Sequence, residues 1–141
     1  MNILEEIAGK TRERIAEEKS RISVAEVKER IRDREQNLEI LPAPSFYQAL
    51  KKDGMSYICE VKKASPSKGI IAEDFPYLQI AREYEQAGAS AISCLTEPFW
   101  FLGSDRYLEA ITDEVMIPVL RKDFTVDEYM IYQARLLGAS A

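Results

Sequence analysis

The residues able to do chemistry sit at the ends of apolar runs. Tyr57, Ile58, Cys59 and Val61 read as a buried strand, and Glu60 and Lys62 fall within and just after it. Two residues apart on a strand means one shared face. This strand therefore delivers a carboxylate and an ammonium group to the same side of its C-terminal end. Burying both is costly unless they meet a partner or a ligand. A second apolar run, Ala91 to Leu95, ends in Thr96-Glu97, and a third, Pro118 to Leu120, ends in Arg121-Lys122-Asp123. The chain has no histidine, so acid–base work falls to Lys, Glu, Asp, Tyr or Cys. A local cationic site for a small anion, with proton transfer on it, is the chemistry these side chains offer.

Helices must separate and align those strands. Leu78, Ala81, Tyr84 and Ala87 mark a helix between the first two runs, opened at Pro76 and closed by Gly88. Ser104 caps another, with Tyr107, Leu108 and Ile111 inward, between the second and third. Thr125-Val126-Asp127-Glu128 has the form of a capping box and predicts a helix running to Gly138. Strand–helix alternation at this spacing means βαβ units and a parallel sheet. Gly88-Ala-Ser-Ala91 and Gly138-Ala-Ser-Ala141 repeat, so a fourth strand is expected from about residue 139. The chain stops where that strand's apolar run belongs, which reads as truncation at the fourth strand. Ala64 to Gly69 reads as a loop by composition. Two helices precede all this. The first spans about residues 2–19, with Ile3, Ile7 and Ile15 in register. The second is opened by Ser23-Val-Ala-Glu26 and ends in a basic cluster, Arg30, Arg32 and Arg34. Leu41-Pro-Ala-Pro44 breaks the pattern, and Ser45 caps a short helix after it. The expected division is a helical extension over 1–44 and a strand–helix domain over 45–141.

Composition excludes several functions. Lys and Arg total 19 against 24 Asp and Glu, a net charge of −5, which argues against a nucleic-acid surface. No apolar run approaches the roughly 20 residues of a membrane span. Met1 is followed by acidic residues, so the expected location is the cytoplasm. Cys59 and Cys94 lie in apolar runs as buried thiols, with no Cys/His cluster for a metal. No Gly-x-Gly-x-x-Gly follows a strand. Neither a cofactor nor a metal is expected.

Glu60-Val-Lys-Lys-Ala-Ser-Pro-Ser-Lys-Gly69, Leu95-Thr-Glu97 with Phe101-x-Gly-Ser104, and Pro118-Val-Leu-Arg-Lys-Asp-Phe124 together resemble the indole-3-glycerol-phosphate synthase family. The resemblance implies an α/β fold: the N-terminal part of a (β/α)8 TIM barrel with extra N-terminal helices, about three to four parallel strands being present. Strand C-terminal ends form the catalytic face of such a barrel. The activity implied is ring closure of 1-(2-carboxyphenylamino)-1-deoxyribulose 5-phosphate, with loss of carbon dioxide and water. By resemblance, Lys122 is the general acid toward the ribulose carbonyl. Lys62 contacts the substrate anions and donates a proton during dehydration, and Glu60 holds or exchanges protons beside it. Ser65, Phe101 and Phe124 line the substrate pocket. The implied partner is a phosphorylated small molecule, with no nucleic acid and no membrane.

Taken singly, each motif has a structural reading. Glu60 with Lys62 is an ion pair, Lys122 a surface lysine, Ser65-Pro-Ser67 a turn, and Phe99 to Phe101 a packed loop. Three motifs in order select the functional reading. The second half of the family's barrel, with a further glutamate, an asparagine and the phosphate-binding glycines, has no counterpart in these residues. This fragment alone is therefore expected to be inactive. The alternative is a non-catalytic half-barrel that self-associates through exposed strand edges. Phosphoribosylanthranilate isomerase, a related barrel, would need a cysteine at the end of the first strand, where Glu60 and Lys62 stand instead.

Overall fold

The computed structural model describes residues 1–40 and 42–141; Leu41, part of the expected helix break, lies outside the described residues. The chain divides into two compact units, one of residues Met1–Pro42 with Phe124–Leu136, the other of Ala43–Asp123 with Leu137–Ala141.

The first unit is helical. α1 spans Ile3–Arg21, α2 spans Val24–Gln36, and a later helix spans Tyr129–Leu136. Asn2 and Glu5 form a reciprocal capping box at the start of α1. Its inward stripe is Ile7, Thr11 and Ile15, four apart; the Thr11 hydroxyl is satisfied by donating to the Ile7 carbonyl at 2.9 Å. Ser23 caps α2, as its sequence predicts, and Val27 and Ile31 are buried. These side chains share one core with Ile40, Tyr129 and Met130. The basic cluster is largely absorbed by the helices themselves: Arg30 pairs with Glu26, and Arg34 donates to the Leu136 carbonyl.

One expectation fails here. The Thr125–Glu128 capping box does not form, and the helix begins four residues later, at Tyr129. Asp127 takes over the N-terminus. Its carboxylate accepts the Tyr129 N–H at 2.8 Å and pairs with Lys19 at 2.9 Å. Both contacts hold that carboxyl below the usual range, the backbone bond being the larger cause.

The second unit holds α3 (Phe46–Lys51), β1 (Ile58–Val61), β2 (Ala64–Ser65), β3 (Gly69–Ile70), α4 (Tyr77–Gln86), β4 (Ala91–Leu95), α5 (Asp105–Glu114) and β5 (Val119–Lys122); the helix over Tyr129–Leu136 in the first unit is α6. β1, β4 and β5 form one parallel sheet in that order. Each strand is added beside the one before it in sequence, with a helix between. That order belongs to part of a (β/α)8 barrel, whereas a doubly wound sheet reverses direction at a switch point. The repeat is structural as well. The Ser90 N–H donates to the Tyr57 carbonyl at the start of β1, and the Ser140 N–H to the Val119 carbonyl of β5. Arg121 N–H also donates to the Ala141 carbonyl at 2.8 Å, so residues 140 and 141 run beside β5. The segment read as a loop carries a small antiparallel ladder, β2 with β3. Its turn suits Pro66 at the second position. Among the described residues no helix is long and apolar enough to cross a membrane.

Candidate active site

The sheet's register decides which side chains meet. Glu60 lies opposite Ser93, Ser93 opposite Leu120, and Leu95 opposite Lys122. Residues opposite one another share a face, and that face recurs every second residue. Glu60, Ser93 and Leu120 therefore form one layer. Lys62, Leu95 and Lys122 form the next, at the C-terminal rim. Cys59, Val61, Cys94 and Arg121 point to the other face.

Glu60 stands one layer below Lys62, which follows it just past the end of β1, and Lys122, which lies two strands away on β5; both reach back to it. Its Oε1 is 3.4 Å from Lys62 Nζ and its Oε2 is 3.5 Å from Lys122 Nζ. The three side chains are 31%, 34% and 53% exposed, respectively. Pairs this long and this wet contribute little to stability. The cluster is better explained by what it offers a ligand: two ammonium groups on one rim, with a carboxylate between them that can hold or pass a proton.

The other predicted positions fall as follows. Ser65 is buried on β2, three residues past Lys62, and its Oγ accepts the Lys68 N–H at 3.3 Å. Phe101 lies in the loop after β4, where its N–H donates to Glu97 Oε2 at 3.0 Å. Phe124 opens the segment that belongs to the helical unit. The structure thus brings Glu60, Lys62 and Lys122 together directly, and it seats Ser65 on the short strand β2 that follows β1 and Phe101 in the loop that follows β4.

Four residues outside the assigned set support the site, and two of them, Glu97 and Arg121, are among the strand-end charges legible in the sequence. Ser93, 4% exposed, donates to Glu60 Oε2 at 3.2 Å. Its signal was a hydroxyl at an inward position of the otherwise apolar Ala91–Leu95. Thr96, also buried, joins β4 to β5: its N–H donates to the Lys122 carbonyl at 3.0 Å and its hydroxyl to Asp123 Oδ2 at 2.7 Å. Arg121, read with Lys122 as a strand-end charge, faces the helices instead. Its guanidinium donates to Thr96 Oγ1 and pairs with Asp105 at the start of α5 at 3.0 Å. Glu97 is the fourth, and its carboxylate gathers the N–H groups of Phe99, Trp100 and Phe101. Of the nearby titratable groups, Tyr84 donates its hydroxyl to the Glu60 carbonyl at 2.9 Å; burial first, then the negative charge at Cys59 and Glu60, pushes its phenol up. The Cys94 thiol is pushed up to about 12, chiefly by burial and secondarily by Asp105, which leaves it inert as a nucleophile. Among the described residues no group of His, Cys, Asp and Glu is placed to hold a metal ion.

A family model described as Indole-3-glycerol phosphate synthase matches residues 4–141. Indole-3-glycerol phosphate synthase of Ruminiclostridium cellulolyticum is 51% identical over 138 residues, which cover 97% of this chain and 51% of that protein. The protein of the same name from Endomicrobium trichonymphae is 63% identical over 97 residues, 69% of this chain and 38% of its own. The one from Lacticaseibacillus paracasei is 48% identical over 137 residues, with coverage of 97% and 51%. The chain spans about half the length of the curated relatives it matches.

Proposed function

We propose a function that starts from one fact: the chain belongs to the indole-3-glycerol phosphate synthase family. Its fold is accordingly part of a TIM barrel. The intact protein catalyses the cytoplasmic ring closure of 1-(2-carboxyphenylamino)-1-deoxyribulose 5-phosphate in tryptophan biosynthesis. A carbon–carbon bond forms between the carboxylate-bearing ring carbon and the ribulose carbonyl carbon. Carbon dioxide leaves from the ring, and the former carbonyl oxygen leaves as water, giving indole-3-glycerol phosphate. Residues 1–44 serve as a helical extension and 45–141 as the first half of the barrel.

The observation that supports this most is the Glu60 carboxylate held between Lys62 and Lys122. Lys122 protonates the carbonyl oxygen as the new bond forms. Lys62 binds the substrate's anionic groups and supplies the proton for loss of water. Glu60 keeps both ammonium groups on one rim and exchanges protons with them. Ser65, Phe101 and Phe124 line the pocket, the aromatic rings contributing about 0.5–1.5 kcal/mol where they stack on the anthranilate ring. The test is turnover by the intact protein. Wild type forms indole-3-glycerol phosphate and Lys122→Ala is slowed by about a hundredfold or more; unaltered turnover in Lys122→Ala refutes the assignment.

A second reading concerns residues 1–141 alone. β1 is an edge strand of the three-stranded sheet, and Ile58 on it is 49% exposed. Open edges and exposed apolar positions pair with other chains, so this stretch by itself self-associates and does not turn over substrate. Light scattering that finds a stable monomer, or measurable turnover by these residues alone, removes that reading.

A further inference from the structure

We propose that Glu97 is a positioning residue of the synthase site, acting as a clamp that shapes the aromatic loop after β4. The inference rests on the synthase reading above and adds a residue to it. Glu97 is 1% exposed, which is costly for a carboxylate unless donors surround it. Three do. Oε1 accepts the Phe99 N–H at 2.8 Å, and Oε2 accepts those of Trp100 at 2.8 Å and Phe101 at 3.0 Å. The Glu97 carbonyl accepts a fourth N–H, from Gly103, at 2.8 Å. One residue thus binds the loop at both ends.

The loop needs such a clamp. Leu102 sits in the left-handed region at φ 51°, a conformation unfavourable for a leucine that persists only when its surroundings impose it. Gly103 passes so close to β4 that a Cβ there would collide with the Leu95 carbonyl, so the chain is pressed onto the strand end. The loop also leaves the sheet at the place that matters. β4 lies between β1 and β5, so the loop rises from the rim between Lys62 and Lys122. Thr96, the residue before Glu97, donates its N–H to the Lys122 carbonyl. Glu97 thereby fixes the backbone that carries Phe101, in the loop that follows the middle strand between Lys62 and Lys122. A glutamine cannot replace that charge, because its NH2 would face a backbone N–H where an acceptor is required.

The test compares wild type, Glu97→Gln, Phe101→Ala and the double variant in the intact protein. Backbone hydrogen exchange reads the clamp. In Glu97→Gln the amides of Phe99, Trp100 and Phe101 exchange faster, while those of Ile92 and Cys94 in β4 keep wild-type protection, which shows that the barrel is folded. Turnover reads the positioning. Glu97→Gln lowers kcat/KM by about tenfold to a hundredfold, mostly through KM. That loss largely disappears in the Phe101→Ala background, because the two residues act through one loop. Unchanged exchange at the three amides, or a loss that is fully additive with Phe101→Ala, overturns the proposal. Absence of turnover in wild type overturns the synthase reading instead, and the clamp then stands or falls on exchange alone.

Discussion

Replacing Glu60 with glutamine separates catalysis from stability. The substitution keeps the size of the side chain and an oxygen for the Ser93 hydroxyl, and it removes the charge between the two lysines. What stability is lost follows from the geometry. The two ion pairs are 3.4 Å and 3.5 Å long and their members are a third to a half exposed. Exposed pairs contribute about 0–1 kcal/mol each, and this length and exposure place both in the lower part of that range. The expected destabilisation is about 1 kcal/mol, a fall in Tm of roughly 3 °C for a domain of this size. The expected loss in turnover is much larger, about 10²–10⁴-fold, because a group that moves protons in the transition state contributes about that much. Measuring Tm by calorimetry and kcat on the same preparations of the intact protein checks both numbers. A fall in kcat below about fivefold would refute the role of Glu60. So would a Tm loss above about 10 °C, since the carboxylate would then be a structural element of the sheet.

Two further predictions concern the layer under the site. Arg121→Met removes a buried guanidinium from Asp105, which is 39% exposed, and from the Thr96 hydroxyl, and losing hydrogen bonds to a charged group costs about 1.5–3 kcal/mol; urea unfolding should show that loss, and a loss under about 0.5 kcal/mol would contradict the network. Cys94 gives a pH dependence. Its folded pKa is raised from the ordinary 9.0 to about 12, so above about pH 9 the unfolded chain loses the proton while the folded one keeps it. Stability should fall as pH rises through that window and level off near the folded value. Cys94→Ala should show a shallower decline in urea midpoint between about pH 8 and 10; identical slopes would mean that this thiol is not buried as described.

The legible part of the site was the part set by local alternation. Glu60 and Lys62 are two apart, so their shared face could be read from spacing alone. Lys122 joins them only through the pairing of Leu95 with Lys122, and register is a property of the folded sheet. The same alternation separates Lys122 from Arg121, although the two are adjacent in sequence and were read together. Ser93 was hidden because one hydroxyl in a buried strand looks like a tolerated core residue. In the helical unit, Thr11 occupies an apolar stripe for the same reason. Capping signals were legible at Ser23, Ser45 and Ser104, each of which does cap its helix. The signal at Thr125 misled because Asp127, two residues on, is a charged acceptor that can cap Tyr129 and pair with Lys19 at once. Nothing local in the sequence announces that contact.

If Glu60, Lys62 and Lys122 serve one anionic sugar derivative from one rim of a parallel sheet, a bound ligand must touch them together. The most direct measurement is a crystal structure of the intact protein with indole-3-glycerol phosphate bound. Both lysine Nζ atoms should lie within about 2.6–3.2 Å of oxygens of the same ligand molecule, or one ordered water away, with Glu60 beneath them. A ligand seated elsewhere, or one touched by neither lysine, would contradict that shared role.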